Sequence, residues 1–186
     1  LVIRLDSVKN NPSPSLIAGT DRLSSQFRSA FLSQVPSLSA SNPNLIAMTT
    51  APQLNAGQSR EQTFSDQYEH ASPSAAFLAQ IQANIPPDAG LQPLDILARA
   101  DTQSCQGCHV GESDHALGGG VTWPFNDNGF VQISERSRLS SALTGTFLPF
   151  RKQVLERFLT AQCLPHTVST GDPILTVSGG KVGAAN

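Results

Sequence analysis

The segment Cys105-Gln106-Gly107-Cys108-His109 constrains this chain more than any other, because two thiols one helical turn apart, followed at once by an imidazole, can all face one partner. A rigid element has to deliver them. The preceding residues supply one: a helix starting near Pro93 sets Leu94, Leu97, Asp101, Cys105 and Cys108 at helical spacing and puts both cysteines on its last turn.

Three more helices are legible. From Thr20 as N-cap, Leu23, Phe27, Phe31 and Val35 recur at four-residue intervals until Pro36. A second begins with Ser72 as N-cap and Pro73 at the first helical position, carries Phe77, Leu78, Ile81 and Ile85 on one side, and stops at Pro86-Pro87. The last runs from Pro149 to about Gln162 with Phe150, Val154 and Phe158. Gly118-Gly119-Gly120 and Asn126-Asp127-Asn128-Gly129 read as turns. Residues 2–7 and 130–133 read as short strands, 44–50 as a strand or a buried connection, and 58–69 as ambiguous between elements. The expected fold is mainly α, with about four amphipathic helices, long loops and a few short strands. It forms one domain over residues 1–166, followed by a loosely held Gly-, Ser- and Thr-rich tail over 167–186.

The C-x-x-C-H spacing is the one that attaches a c-type haem, two sulfurs taking the vinyl carbons and the next imidazole lying under the iron. At these residues the chain resembles the cytochrome c family. The flanks are also similar to a group of secreted bacterial proteins, through Arg99-Ala100-Asp101-Thr102-Gln103-Ser104 before the motif, Leu117-Gly118-Gly119-Gly120 and Thr122-Trp123-Pro124 after it, and Phe147-Leu148-Pro149 further on. The resemblance implies one covalently bound haem c, with Cys105 and Cys108 as thioether cysteines and His109 as proximal iron ligand. The competing chemistry is zinc: Cys105-x-x-Cys108 with Cys163-x-x-His166 makes a Cys₃His set, which uses every cysteine but gives no reason for His109.

Met48, the only methionine, is the leading candidate for the distal ligand, since a thioether opposite imidazole is usual in electron-transfer cytochromes. His70 is the alternative, ahead of His166 and of a position left open. His115 is excluded, because six residues span at most about 21 Å and the chain must pass around the porphyrin edge and return. In small cytochromes c the motif lies near the amino end with the methionine after it. Here about a hundred residues precede Cys105 and no methionine follows, so that fold is not carried over. Trp123, the only tryptophan, is a candidate donor to a haem propionate or a core residue. Arg99 either neutralises a propionate or, as exposed arginines commonly do, sits on a solvated face.

Twelve basic against fourteen acidic residues leave a net charge of -2, and no basic run follows a phosphate backbone, so nucleic acid is not an expected partner. No apolar stretch approaches the length of a membrane span. The resemblance implies a periplasmic or extracellular location, and one-electron transfer with a redox partner protein or an extracellular acceptor; assembly with further copies is compatible with it. Two other classes stand beside it: a five-coordinate haem enzyme or ligand sensor, and a zinc-stabilised interaction module.

Overall fold

The computed structural model describes residues 11–55, 68–108, 112–127 and 130–162. The chain is mainly helical, as the periodicity predicts. Extended pairing among the described residues is confined to isolated antiparallel bridges, including Ala116 with Thr122 and Ile133 with Leu139. The strand expected over 130–133 shrinks to isolated bridge residues at Phe130 and Ile133. The strand expected over 2–7 and the tail over 167–186 lie outside the described residues.

Contacts divide the chain into two units, Leu1–Lys152 and Gln153–Asn186. In the first, α1 (Ser15–Ala18) leads to α2 (Arg22–Leu32). The cap of α2 is Asp21, one residue after the expected Thr20, because its carboxylate accepts from the N–H groups of Leu23 and Ser24 at 2.8 and 3.0 Å. The single helix expected to reach Pro36 breaks at Ser33-Gln34, and Val35–Leu38 forms a separate short α3. Pro36 sits in its first turn, where the missing N–H would have no partner anyway. Next, Pro43–Leu45 is a 3₁₀ turn, and the connection after it buries Ile46 and Met48 on either side of an exposed Ala47.

The fourth helix, α4 (Ala75–Asn84), is capped by Ser74, whose Oγ accepts from Phe77 N, and not by Ser72, which adopts a left-handed conformation with φ 55°. α5 (Pro93–Asp101) starts where its sequence predicts: Pro93 is the first helical residue and the Asp95 carboxylate reaches back to Gln92 N at 2.7 Å. The buried faces of α2 and α4 meet in an aromatic cluster. Phe31 lies 5.8 Å from Phe27 and 5.9 Å from Phe77, and Phe27 lies 6.2 Å from Tyr68. Ile81, Ile96 and Leu97 are fully buried beside this cluster. Each such side chain contributes about 1.5–3 kcal/mol through removal from water, so this layer holds α5 in place.

A π-helical turn, Leu143–Phe147, runs directly into α6 (Leu148–Gln162), within one residue of its expected start. In the second unit the described residues are the continuation of α6, where Val154, Leu155, Phe158 and Leu159 are exposed. Among the described residues no helix is long and apolar enough to cross a membrane.

Candidate functional site

At the end of α5 the freed carbonyls are taken by side chains. Thr102 Oγ1 donates to Arg99 O at 2.6 Å, and Ser104 Oγ donates to Asp101 O at 2.7 Å. These bonds satisfy the last turn and release the chain from the helix. The cysteines are therefore not on the last turn of α5, as their spacing suggested, but on a separate 3₁₀ turn, Cys105–Cys108, that follows it. The Thr, Gln and Ser between Asp101 and Cys105 carried the signal for that break.

Gly107 is the tightest point of the turn. A Cβ there would lie 2.5 Å from the carbonyl carbon of Thr102 and 2.8 Å from its Cα, and closer still to its oxygen, so no other residue fits without backbone movement. The buried Trp123 indole donates from Nε1 to Gly107 O at 2.8 Å, and Val131 N donates to Cys108 O at 3.0 Å. The segment after the glycine run thus clamps the cysteine turn from outside. The Trp123 donor is spent on this turn. Its ring also rests 5.5 Å from Phe147.

Cys105 and Cys108 are both free thiols, Cys105 half-buried and Cys108 exposed. Desolvation, and then the neighbouring Cys105, push the Cys108 thiol above its ordinary pKa, so it is protonated at neutral pH. Cys108 and Gly107 form part of the wall of a cavity of about 310 Å³, at the small end of ligand pockets, together with Ile46, Trp123, Leu143 and Phe147. Arg151 also borders it.

Arg99 departs from the solvated face expected for it. It is 1 % exposed, so it does not lie on a solvated face, and its guanidinium donates to four backbone carbonyls: Leu117 at 2.7 Å, Leu38 at 2.9 Å, Ala40 at 2.7 Å and Gly118 at 3.1 Å. Two of these come from the end of α3 and two from Leu117-Gly118, so one side chain of α5 ties both to the helix that precedes the cysteine turn. Gly118, Gly119 and Gly120 all have positive φ, between 56° and 75°, which is how the run turns its carbonyls toward the guanidinium. Leu117-Gly118-Gly119-Gly120 in the sequence is the trace of this clamp; an arginine alone gave no signal of it.

Asp101 is equally buried, and both of its oxygens accept from Tyr68 N at 3.0 and 2.9 Å. Burial first, and the charge of Glu112 next, hold its carboxyl well above the usual carboxylate range. This contact anchors the 3₁₀ turn Tyr68–His70 against α5. His70 Nε2 there lies 3.2 Å from Glu69 Oε1, and His115 stands between Glu69, at 3.7 Å, and the fully buried Glu112, at 3.2 Å. Sequence reasoning missed this histidine–carboxylate group because its members are far apart in the chain.

The two candidate distal ligands lie elsewhere than the cavity wall. Met48 is 3 % exposed within the hydrophobic core, and His70 belongs to the carboxylate group just described. His109, Cys163 and His166 lie outside the described residues. Among the described residues no three His, Cys, Asp or Glu side chains are grouped to hold a metal ion. In comparison with known proteins, the chain matches no family model, no curated protein and no solved structure.

The donor set fits a covalently attached haem. Two reduced sulfurs share one turn, and one of them borders a mostly apolar hollow lined by Trp123 and Phe147. The turn is also held by three contacts that leave its sulfurs unencumbered: Gly107 against Thr102, the indole, and Val131.

Proposed function

We propose that this chain is a monohaem c-type cytochrome, periplasmic or extracellular, that carries single electrons between a redox partner and an acceptor. The observation that supports the reading best is the clamped turn Cys105–Cys108, with two free thiols and Cys108 on the wall of an apolar cavity. Net addition of each thiol across a vinyl group would place sulfur on one carbon and hydrogen on the other, and would need no oxidant. When bound, the haem iron supplies the one-electron couple, and the protein sets its potential through axial ligation, burial and hydrogen bonds. His109 would hold the iron from the proximal side. Trp123, Phe147 and Ile46 form an apolar part of the cavity wall.

The test is spectroscopic. Purified protein should show sharp c-type bands in the reduced-minus-oxidised spectrum, retain its colour through acid-acetone extraction, and carry one haem of extra mass. Colourless protein containing zinc and no iron would replace this reading with the Cys₃His module.

A second reading draws on one observation: neither Met48 nor His70 lines the cavity. With that position open, the haem would bind a small ligand, as five-coordinate haem enzymes and sensors do. Rapid, complete binding of carbon monoxide to the ferrous protein selects the sensor or enzyme; resistance selects the electron carrier.

A further inference from the structure

We infer that Arg151 is the cation that receives a carboxylate of the group held at the cysteine turn. The inference rests on the haem reading, since it assigns that carboxylate to a haem propionate.

The hollow beside Cys108 is mostly apolar, and Arg151 is the one charged side chain among the described residues that line it. Its surroundings differ from those of Arg99. The Arg99 guanidinium is enclosed and donates to four backbone carbonyls, whereas Arg151 is exposed and forms no ion pair with a described carboxylate. The amide side chains of the wall bind their neighbours: Gln103 Nε2 donates to Thr102 Oγ1 at 3.1 Å, and Asn44 Nδ2 donates to Asn42 Oδ1 at 3.1 Å. A carboxylate drawn against an apolar wall is costly unless a cation or donors meet it, and the planar fork of a guanidinium matches its two oxygens. Until such a group arrives, an exposed arginine keeps its charged end in water, so the wall carries no buried unpaired charge.

The backbone sets where Arg151 stands. Leu143, Phe147, Phe150 and Arg151 all border the hollow, and they follow one another along the π-helical turn Leu143–Phe147 and the first turn of α6. A π turn holds one residue more than an α turn, so it sets which face of α6 turns toward the hollow. This wall is fastened to the cysteines. The Phe147 ring lies 5.5 Å from Trp123, whose indole donates at 2.8 Å to the carbonyl of Gly107, between Cys105 and Cys108. Arg151 follows Phe147 by one helical turn. Cys108 and Arg151 therefore belong to one braced frame around the same hollow, the sulfur fixing the group and the guanidinium receiving its charged end.

The experiment compares haem-loaded wild-type protein with Arg151→Gln, Arg151→Lys and Arg138→Gln, the last removing an exposed cation that does not line the hollow. The readouts are the vibrational bands of the propionates and the reduction potential. The pairing predicts bands shifted toward weaker hydrogen bonding in Arg151→Gln, a smaller shift in Arg151→Lys, which keeps the charge without the fork, and wild-type bands in Arg138→Gln. The potential should fall further in Arg151→Gln than in Arg138→Gln, since a less compensated carboxylate favours the ferric iron. Propionate bands at their wild-type positions in Arg151→Gln would overturn the pairing, as would an equal band shift in Arg138→Gln, which would make the effect one of net charge alone. Absence of c-type bands from wild-type protein is a different failure: it removes the haem reading itself, and the assigned carboxylate with it.

Discussion

Replacing Gly107 by alanine tests the clamped turn most directly. Ordinary Cβ contacts begin near 3.4 Å, whereas the added carbon would meet the Thr102 carbonyl carbon at 2.5 Å, so the Cys105–Cys108 turn must shift by about 1 Å. The obstacle is backbone, which no rotamer change relieves. Overpacking of this kind costs about 3 kcal/mol, the upper end of its usual range. For a chain of this length that corresponds to a melting temperature lower by about 6–12 °C, read by far-ultraviolet circular dichroism. Because the displaced turn carries both sulfurs, the proposed haem attachment should fall in parallel, read as the absorbance resistant to acid-acetone. Gly145→Ala is the control: a Cβ there meets nothing within 4 Å, and in its helical setting alanine should be neutral or stabilising by up to about 1 kcal/mol. Equal melting temperatures for Gly107→Ala and wild type, with full attachment in both, would refute the packing argument; a drop in both glycine variants would show that the effect is not local to the turn.

Three further expectations follow from the same contacts. Trp123→Phe keeps most of the ring packing but leaves Gly107 O without its indole donor, and should cost about 1–3 kcal/mol in urea denaturation; no loss would mean that another group takes over the carbonyl. Arg99→Met leaves the Leu38, Ala40 and Leu117 carbonyls without their donor, while Gly118 O keeps Val121 N. It should destabilise by more than about 3 kcal/mol, with Arg99→Lys recovering only part because an ammonium lacks the planar fork; full recovery by lysine would argue that charge alone matters. The hydrogen bond to Glu112 is the main cause that raises His115 above its ordinary pKa of 6.5. The folded state therefore holds that proton more tightly, and the stability this supplies is complete below pH 6.5 and lost as pH rises through the raised folded value. His115→Gln should flatten that part of the stability profile, and an unchanged slope in the variant would assign it to other groups.

The helices were largely readable from local pattern, and the boundaries were not. The periodic apolar residues of α2 and α4 appear in the core as predicted, since Phe27, Phe31, Phe77 and Ile81 are all buried. The caps moved by one or two residues, from Thr20 to Asp21 and from Ser72 to Ser74, because several polar residues competed to receive the same N–H groups. For the site, the cysteines and their spacing were visible, but their element was misread. Helical spacing continues past Asp101, whereas hydrogen bonds from Thr102 and Ser104 end the helix there. No local rule says which of these wins.

Order along the chain determined that this protein is built mainly from short amphipathic helices and that two thiols come within one turn. Those properties depend on neighbours a few residues apart, which periodicity and spacing express directly. Tertiary structure decided what Arg99, Trp123 and Asn126 do. Arg99 clamps carbonyls up to 61 residues away in sequence, Trp123 braces Gly107 from 16 residues away, and Asn126 is left buried with its amide unanswered. The chemistry of a long polar side chain is set by whichever groups the fold brings within hydrogen-bond reach, and that distance is a property of the packed chain alone.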